Sequence, residues 1–210
     1  MSTWRVECGD CLELLKALPD GSVDAVVTDP PYGVGIADWD SDIPPQAILT
    51  ECLRVSRGPV VWFGAASAGP LLSFAGYNPQ PERCLVWAPS FSLAKTSKSR
   101  IFYRWHPIWC WRMPKSQASI NSDVLRDNCE GKHWWDHPAT KPAALMCKLV
   151  KAVTVEDGEV LDPFAGSGTT GVACVQTGRN FIGFEIDPGY CEIARRRIAE
   201  AVPLFAGSKS

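Results

Sequence analysis

No apolar run in these 210 residues approaches the length needed to cross a bilayer, so no membrane span is expected. The first ten residues, MSTWRVECGD, lack the charged and apolar regions of a secretory signal, which leads to the expectation of a cytoplasmic protein. Cysteine is present nine times, but matched cysteine pairs are not. CGDC at 8–11 has redox or zinc-ligand spacing and no second Cys or His pair to complete it, so no metal site is expected. The thiols read as reduced, many of them packed as small hydrophobes. Acids are missing from one long stretch. Residues 83–122 hold Arg83, Lys95, Lys98, Arg100, Arg104, Arg112 and Lys115 with no Asp or Glu, so this segment carries +7 and the rest of the chain −9.

The same acid-free stretch contains Trp87, Phe91, Phe102, Tyr103, Trp105, Trp109 and Trp111. Interleaved bases and aromatics suit a polyanion whose bases can be stacked upon. A buried strand pair with solvated charges accounts better for the aromatics alone, whereas the charge asymmetry favours the polyanion.

What is present is an alternation of short apolar runs and amphipathic segments. WRVEC, VDAVVT, GPVVWFG, RCLVWA, HPIWCWR, GEVLD and NFIGFEI read as strands. CLELLKAL, PQAILTECLRV, AALMCKLVKAVT, TTGVACVQTG and GYCEIARRRIAEAV read as helices. Strands alternating with helices predict an α/β fold with a mostly parallel sheet. Residues 1–205 are expected to form a single domain, with 113–137, which lack periodicity, as a short surface insertion and 206–210 as a flexible tail. His106, at the head of HPIWCWR, reads as a strand-end histidine rather than a catalyst.

Two loops stand out. VTDPPYGVG, at 27–35, follows an apolar run with one carboxylate, Asp29, two prolines, Pro30 and Pro31, and one ring, Tyr32. Paired prolines fit neither a strand interior nor a helix, so this is a stiff loop at a strand's end. VLDPFAGSGTTGVA places a strand, a glycine-rich turn and a helix start in succession. Gly166 and Gly168 let backbone approach a ligand, and Thr169 or Thr170 can cap the helix that follows. No lysine follows the glycines, so this is not a phosphate-gripping loop of the GxxxxGK[ST] type. The next strand ends in FEIDP, where Glu185 stands 17 residues past Gly168, about where an α/β nucleoside site holds both ribose hydroxyls. Asp187 competes for that role. A tight turn with a helix cap would explain the glycines alone; the added acid favours an adenosine-containing cofactor.

DPPY and DPFAGSG together resemble the S-adenosylmethionine-dependent amino-methyltransferases of DNA, in the beta-type circular permutation that puts the catalytic loop first. HPATKP at 137–142 and ECGDCLELLKALPDGSVD are similar to two further elements of that family. The resemblance implies a Rossmann-like class I methyltransferase fold and S-adenosyl-L-methionine as cofactor. It also implies double-stranded DNA as partner, with a flipped target base and a homodimer left open. Asp29, Pro30, Pro31 and Tyr32 would be catalytic. Asp29 and the Pro30 carbonyl would each accept an amino proton of the target, and Tyr32 would stack on its ring, worth about 1–3 kcal/mol. Asp162, Pro163, Phe164, Ala165, Gly166, Ser167, Gly168 and Thr169 would line the cofactor, with Glu185 and Ile186 at its nucleoside and Asp29 beside it. Lys141, His137 and Thr140 would lie near its carboxylate, and Asp10 near its adenine amine or simply in a turn. Lys95, Lys98, Arg100, Arg104, Arg112 and Lys115 would meet DNA, and 113–137 would serve as a short target-recognition segment, as in compact phage-type members. Asp at the head of the loop implies adenine-N6, with cytosine-N4 as the alternative and a DNA-binding module with a degenerate pocket behind it. A ring-carbon cytosine enzyme would need a cysteine, usually after proline, and the chain has no Pro-Cys pair.

Overall fold

The structure, a computed structural model, describes residues 2–31, 46–64, 78–89, 105–114, 120–127 and 141–202. Eight strands form one sheet: β1 (Trp4–Cys8), β2 (Ala25–Thr28), β3 (Val60–Phe63), β4 (Arg83–Trp87), β5 (His106–Trp111), β6 (Val124–Leu125), β7 (Glu159–Asp162) and β8 (Asn180–Glu185). Their order across the sheet is β1-β8-β7-β2-β3-β5-β4-β6. β1, β8, β7, β2 and β3 run parallel to one another, and β5 enters antiparallel to both β3 and β4. The helices are α1 (Cys11–Ala17), α2 (Gln46–Val55), α3 (Ala143–Val153), α4 (Thr169–Gln176) and α5 (Pro188–Ala201). Among the described residues no helix is long and apolar enough to cross a membrane.

The central strands AVVT and VVWF are nearly all apolar, and EVLD is apolar at its centre, because both their faces are covered. Val27, Val61, Phe63 and Trp87 face one core with Leu145, Leu149, Ala173 and Ala194 of α3, α4 and α5. Val26, Val60, Trp62 and Leu161 face the other, with Leu15 of α1 and Leu49 and Leu53 of α2. The helices start where the chemistry allows. Asp10 accepts from the amides of Leu12 and Glu13 at the head of α1, and Asp187 accepts from Tyr190 N at the head of α5, where Pro188 supplies a pre-set φ.

The expected strands and helices are all present. Within 113–137, where no element was expected, Val124 and Leu125 add a strand at the sheet's edge, parallel to β4. Leu125 is buried, and the Trp87 indole N–H donates to the Asp127 carbonyl at 2.8 Å. Two residues are too few to show a strand's alternation, so nothing in the sequence pattern could announce β6.

The chain steps from β7 to β8 on one side of the sheet and from β2 to β3 on the other. The β7–β2 boundary is thus where the winding reverses, the place where open α/β sheets form a crevice beyond their strand ends. Both conspicuous loops leave the sheet there.

Candidate active site

Asp162 ends β7 and is 2% exposed. Its Oδ1 accepts from Thr28 Oγ1, at the end of β2, at 2.7 Å, and from Phe164 N at 3.1 Å; its Oδ2 accepts from Thr170 Oγ1 at 2.6 Å. One carboxylate therefore joins the strand that leads into Asp29 to the turn that carries the glycines. Burial pushes the Asp162 carboxyl up to about 6, against the hydrogen bonds from Thr170, Thr28 and Phe164, which lower it, and with the Asp29 charge raising it further.

The glycine-rich turn is held from three sides. Ala165 N donates to Phe184 O at 2.8 Å, and Gly166 N donates to Glu185 Oε2 at 2.8 Å. Arg197 of α5 reaches across to the carbonyl and hydroxyl of Ser167 and to Thr169 Oγ1. Pro163 is buried, and Phe164 packs edge-on against Trp62, ring centroids 6.5 Å apart. Gly168 has φ +83°, and a Cβ there would come within 2.9 Å of Ala194 Cα, so a side chain would force the turn away from α5.

Glu185 ends β8. Its Oε1 accepts from Asp187 N at 2.9 Å, while burial raises its carboxyl above the ordinary range against the bonds from Asp187 and Gly166. The two acids are engaged differently: the Asp187 carboxylate caps α5, and Glu185 binds an amide of the turn. Ile186 beside it is 65% exposed, an apolar side chain left uncovered at the strand ends. Asp10 lies at the neighbouring end of β1, where its Oδ1 is engaged as the cap of α1.

Asp29 follows β2 directly, and Pro30 behind it is buried. Its Oδ2 pairs with the Lys141 ammonium. Lys141, just ahead of α3, is held there by two aromatic faces, its Nζ lying 5.1 Å from the Phe63 ring centroid and 6.0 Å from that of Trp87. Resemblance puts Lys141 near a cofactor carboxylate; in the structure it pairs with the carboxylate of the DPPY loop.

Arg112 belongs elsewhere. It follows β5 beside the start of β3, at the sheet end opposite Asp29, and its guanidinium donates to the carbonyls of Leu53 and Ser56 at 3.0 and 2.7 Å. These two bonds cap the last turn of α2. Tyr32, Lys95, Lys98, Arg100, Arg104, Lys115, His137 and Thr140 lie outside the described residues.

The N6_N4_Mtase family model, described as DNA methylase, matches residues 77–196. YubD of Escherichia coli K12, a methylase by name, is 30% identical over 209 residues, covering 91% of this chain and 88% of its own length. Among solved structures, TTHA0409 of Thermus thermophilus, named as a DNA modification methylase, superposes with a TM-score of 0.72 at 25% identity, covering 98% of this chain and 97% of that one. The same Thermus protein has been solved in complex with S-adenosyl-L-methionine. The cytosine-N4-specific PvuII DNA methyltransferase shares the fold with a TM-score of 0.70 at 22% identity, covering 100% of this chain and 89% of that one. A mostly parallel sheet with its loops gathered at the winding reversal is thus the class I methyltransferase architecture. Within that class, the chain belongs to the N6_N4_Mtase family of DNA methylases.

Proposed function

We propose that the protein transfers a methyl group from S-adenosyl-L-methionine to the exocyclic N6 amine of adenine in double-stranded DNA, at a base flipped out of the helix. The observation that carries this reading is the bridge Thr28–Asp162–Thr170, which fixes the amine-facing loop and the glycine-rich turn to one another.

The residues present fit the cofactor. Gly166 and Gly168 offer a turn free of side chains, Glu185 supplies a carboxylate for ribose hydroxyls, and exposed Ile186 supplies an apolar surface that an adenine ring would cover. When bound, the cofactor contributes an electrophilic methyl group on a sulfonium. The protein's task is then to make a poor nucleophile reactive. An aromatic amine has its lone pair delocalised into the ring. Asp29 accepts one amino hydrogen and the Pro30 carbonyl the other, which turns the nitrogen toward tetrahedral geometry and its lone pair toward the methyl group. The carboxylate also stabilises the positive charge that grows on nitrogen, and the two prolines keep it in line for transfer.

Adenine is favoured over cytosine by the aspartate at the head of DPPY. Duplex DNA treated with the protein and S-adenosyl-L-methionine, then digested to nucleosides, should yield N6-methyladenine. N4-methylcytosine alone would overturn the choice of base while leaving the amine chemistry in place.

A further inference from the structure

His106 opens β5 and pairs in register with Trp87, the last residue of β4. Its imidazole lies on the Trp87 indole with ring centroids 4.9 Å apart and planes inclined by 25°. Trp87 is 1% exposed, and its N–H bond to Asp127 O secures it from behind, so the stack fixes the imidazole plane. The same indole lies 6.0 Å from the Lys141 ammonium that pairs with Asp29. His106 is therefore the third titratable side chain at the amine end of the site. Burial and then the Lys141 charge lower its pKa to about 4, while the Asp29 charge opposes them, so the ring is neutral near pH 7. Its Nδ1 is shielded from solvent and has no hydrogen-bond partner among the described residues.

Leaving a buried polar nitrogen unpaired is costly, and a stacked ring has little freedom to turn it toward water. Within electrostatic reach of the carboxylate assigned to the substrate, such an atom points to a partner that arrives with the substrate. A flipped base is read along its Watson–Crick edge. Next to the exocyclic amine, that edge presents a ring nitrogen without hydrogen, N1 in adenine and N3 in cytosine, and both are acceptors. A neutral imidazole carrying its hydrogen on Nδ1 donates to either. Being neutral, it orients the ring without protonating it, and a protonated ring would draw the amine's lone pair away from the methyl group.

We propose that His106 is a further substrate-binding residue, donating from Nδ1 to the ring nitrogen beside the target amine and so setting the base in register with Asp29. The proposal rests on the reading of Asp29 as the group that holds that amine.

The test crosses protein and base variants on a duplex carrying the methylated site. His106→Phe keeps a ring on Trp87 and removes Nδ1; His106→Asn keeps a polar atom where Nδ1 lies. His106→Phe should bind S-adenosyl-L-methionine as the wild type does and lose about tenfold in kcat/KM on adenine, with His106→Asn recovering most of it. Wild type should lose a similar factor when the target is 1-deazaadenine, and His106→Phe should lose nothing further on that base. Losses that multiply when combined, or a fully active His106→Phe, would overturn the contact. If the methylated base is cytosine, the same cycle with 3-deazacytosine judges His106 after the adenine choice has failed. A wild-type protein that methylates neither base overturns both readings.

Discussion

Lys141 and Asp29, 112 residues apart in the chain, form an ion pair in which the lysine side chain is only 6% exposed and the aspartate 21%. The ammonium is held between that carboxylate and the faces of Phe63 and Trp87, so the DPPY loop is anchored by a charge that has little water to fall back on.

Removing the carboxylate should therefore do two separable things. Asp29→Ala is expected to abolish methyl transfer while changing S-adenosyl-L-methionine binding little by calorimetry. It should also cost about 3 kcal/mol of stability in urea, because a buried cation loses the carboxylate it pairs with. Asp29→Ala combined with Lys141→Met should recover most of that stability and none of the activity. A double variant no more stable than the single one would show that the pair does not anchor the loop.

Asp162 makes a prediction about pH. Its folded carboxyl is raised to about 6 by burial, so between about 4 and 6 the folded protein binds the proton that the unfolded chain has released. The contribution of this group to stability is thus greatest below the unfolded value and is lost as pH rises through 6. Asp162→Asn cannot titrate. The difference in unfolding free energy between variant and wild type should shift in the variant's favour by on the order of 2–3 kcal/mol from pH 4 to pH 7. A difference that stays flat across that range would mean that the carboxyl is not raised.

Glu185 already receives the amides of Gly166 and Asp187, so its carboxylate is pre-oriented for the ribose hydroxyls assigned to it. Glu185→Gln keeps the shape and loses the charge, and should weaken S-adenosyl-L-methionine by about 10–100-fold in calorimetry, the scale of hydrogen bonds to a charged acceptor. Unchanged affinity would place the nucleoside elsewhere.

The basic residues divide into two groups with different readouts. Neutralising Lys95, Lys98 and Arg100 together should weaken DNA binding and flatten the slope of log affinity against log salt by up to about 3. Arg112→Met should leave that slope alone and cost about 1–2 kcal/mol of stability, because Arg112 holds the carbonyls of Leu53 and Ser56. A reduced slope for Arg112→Met would return it to the DNA surface.

The contrast between these arginine and lysine sites shows where sequence reading stops. Strands such as VVWF were legible because burial on both faces leaves an unbroken apolar run, and helices such as α2 because their apolar residues recur at helical spacing. The two loops were legible because prolines and glycines have local meanings. Charge composition has none of that directionality. It marked Arg112 as one of seven bases without saying from which end of the sheet the guanidinium would reach. His106 looked like an ordinary strand-end residue because the Trp87 ring it stacks on and the Lys141 and Asp29 charges it feels come from three other parts of the chain. The Thr28–Asp162 bond spans 134 positions and leaves no local trace.

Strand order also bears on how the protein is made. β1, synthesised before the other strands described, pairs among them only with β8, so Trp4 waits for Phe181. β2, which leads into Asp29, lacks its β7 neighbour until residue 160 has emerged. Vectorial synthesis delivers DPPY early and its partner strand late, which exposes an apolar edge for most of translation. A prematurely terminated chain then carries that loop without the strand that flanks it in the folded sheet.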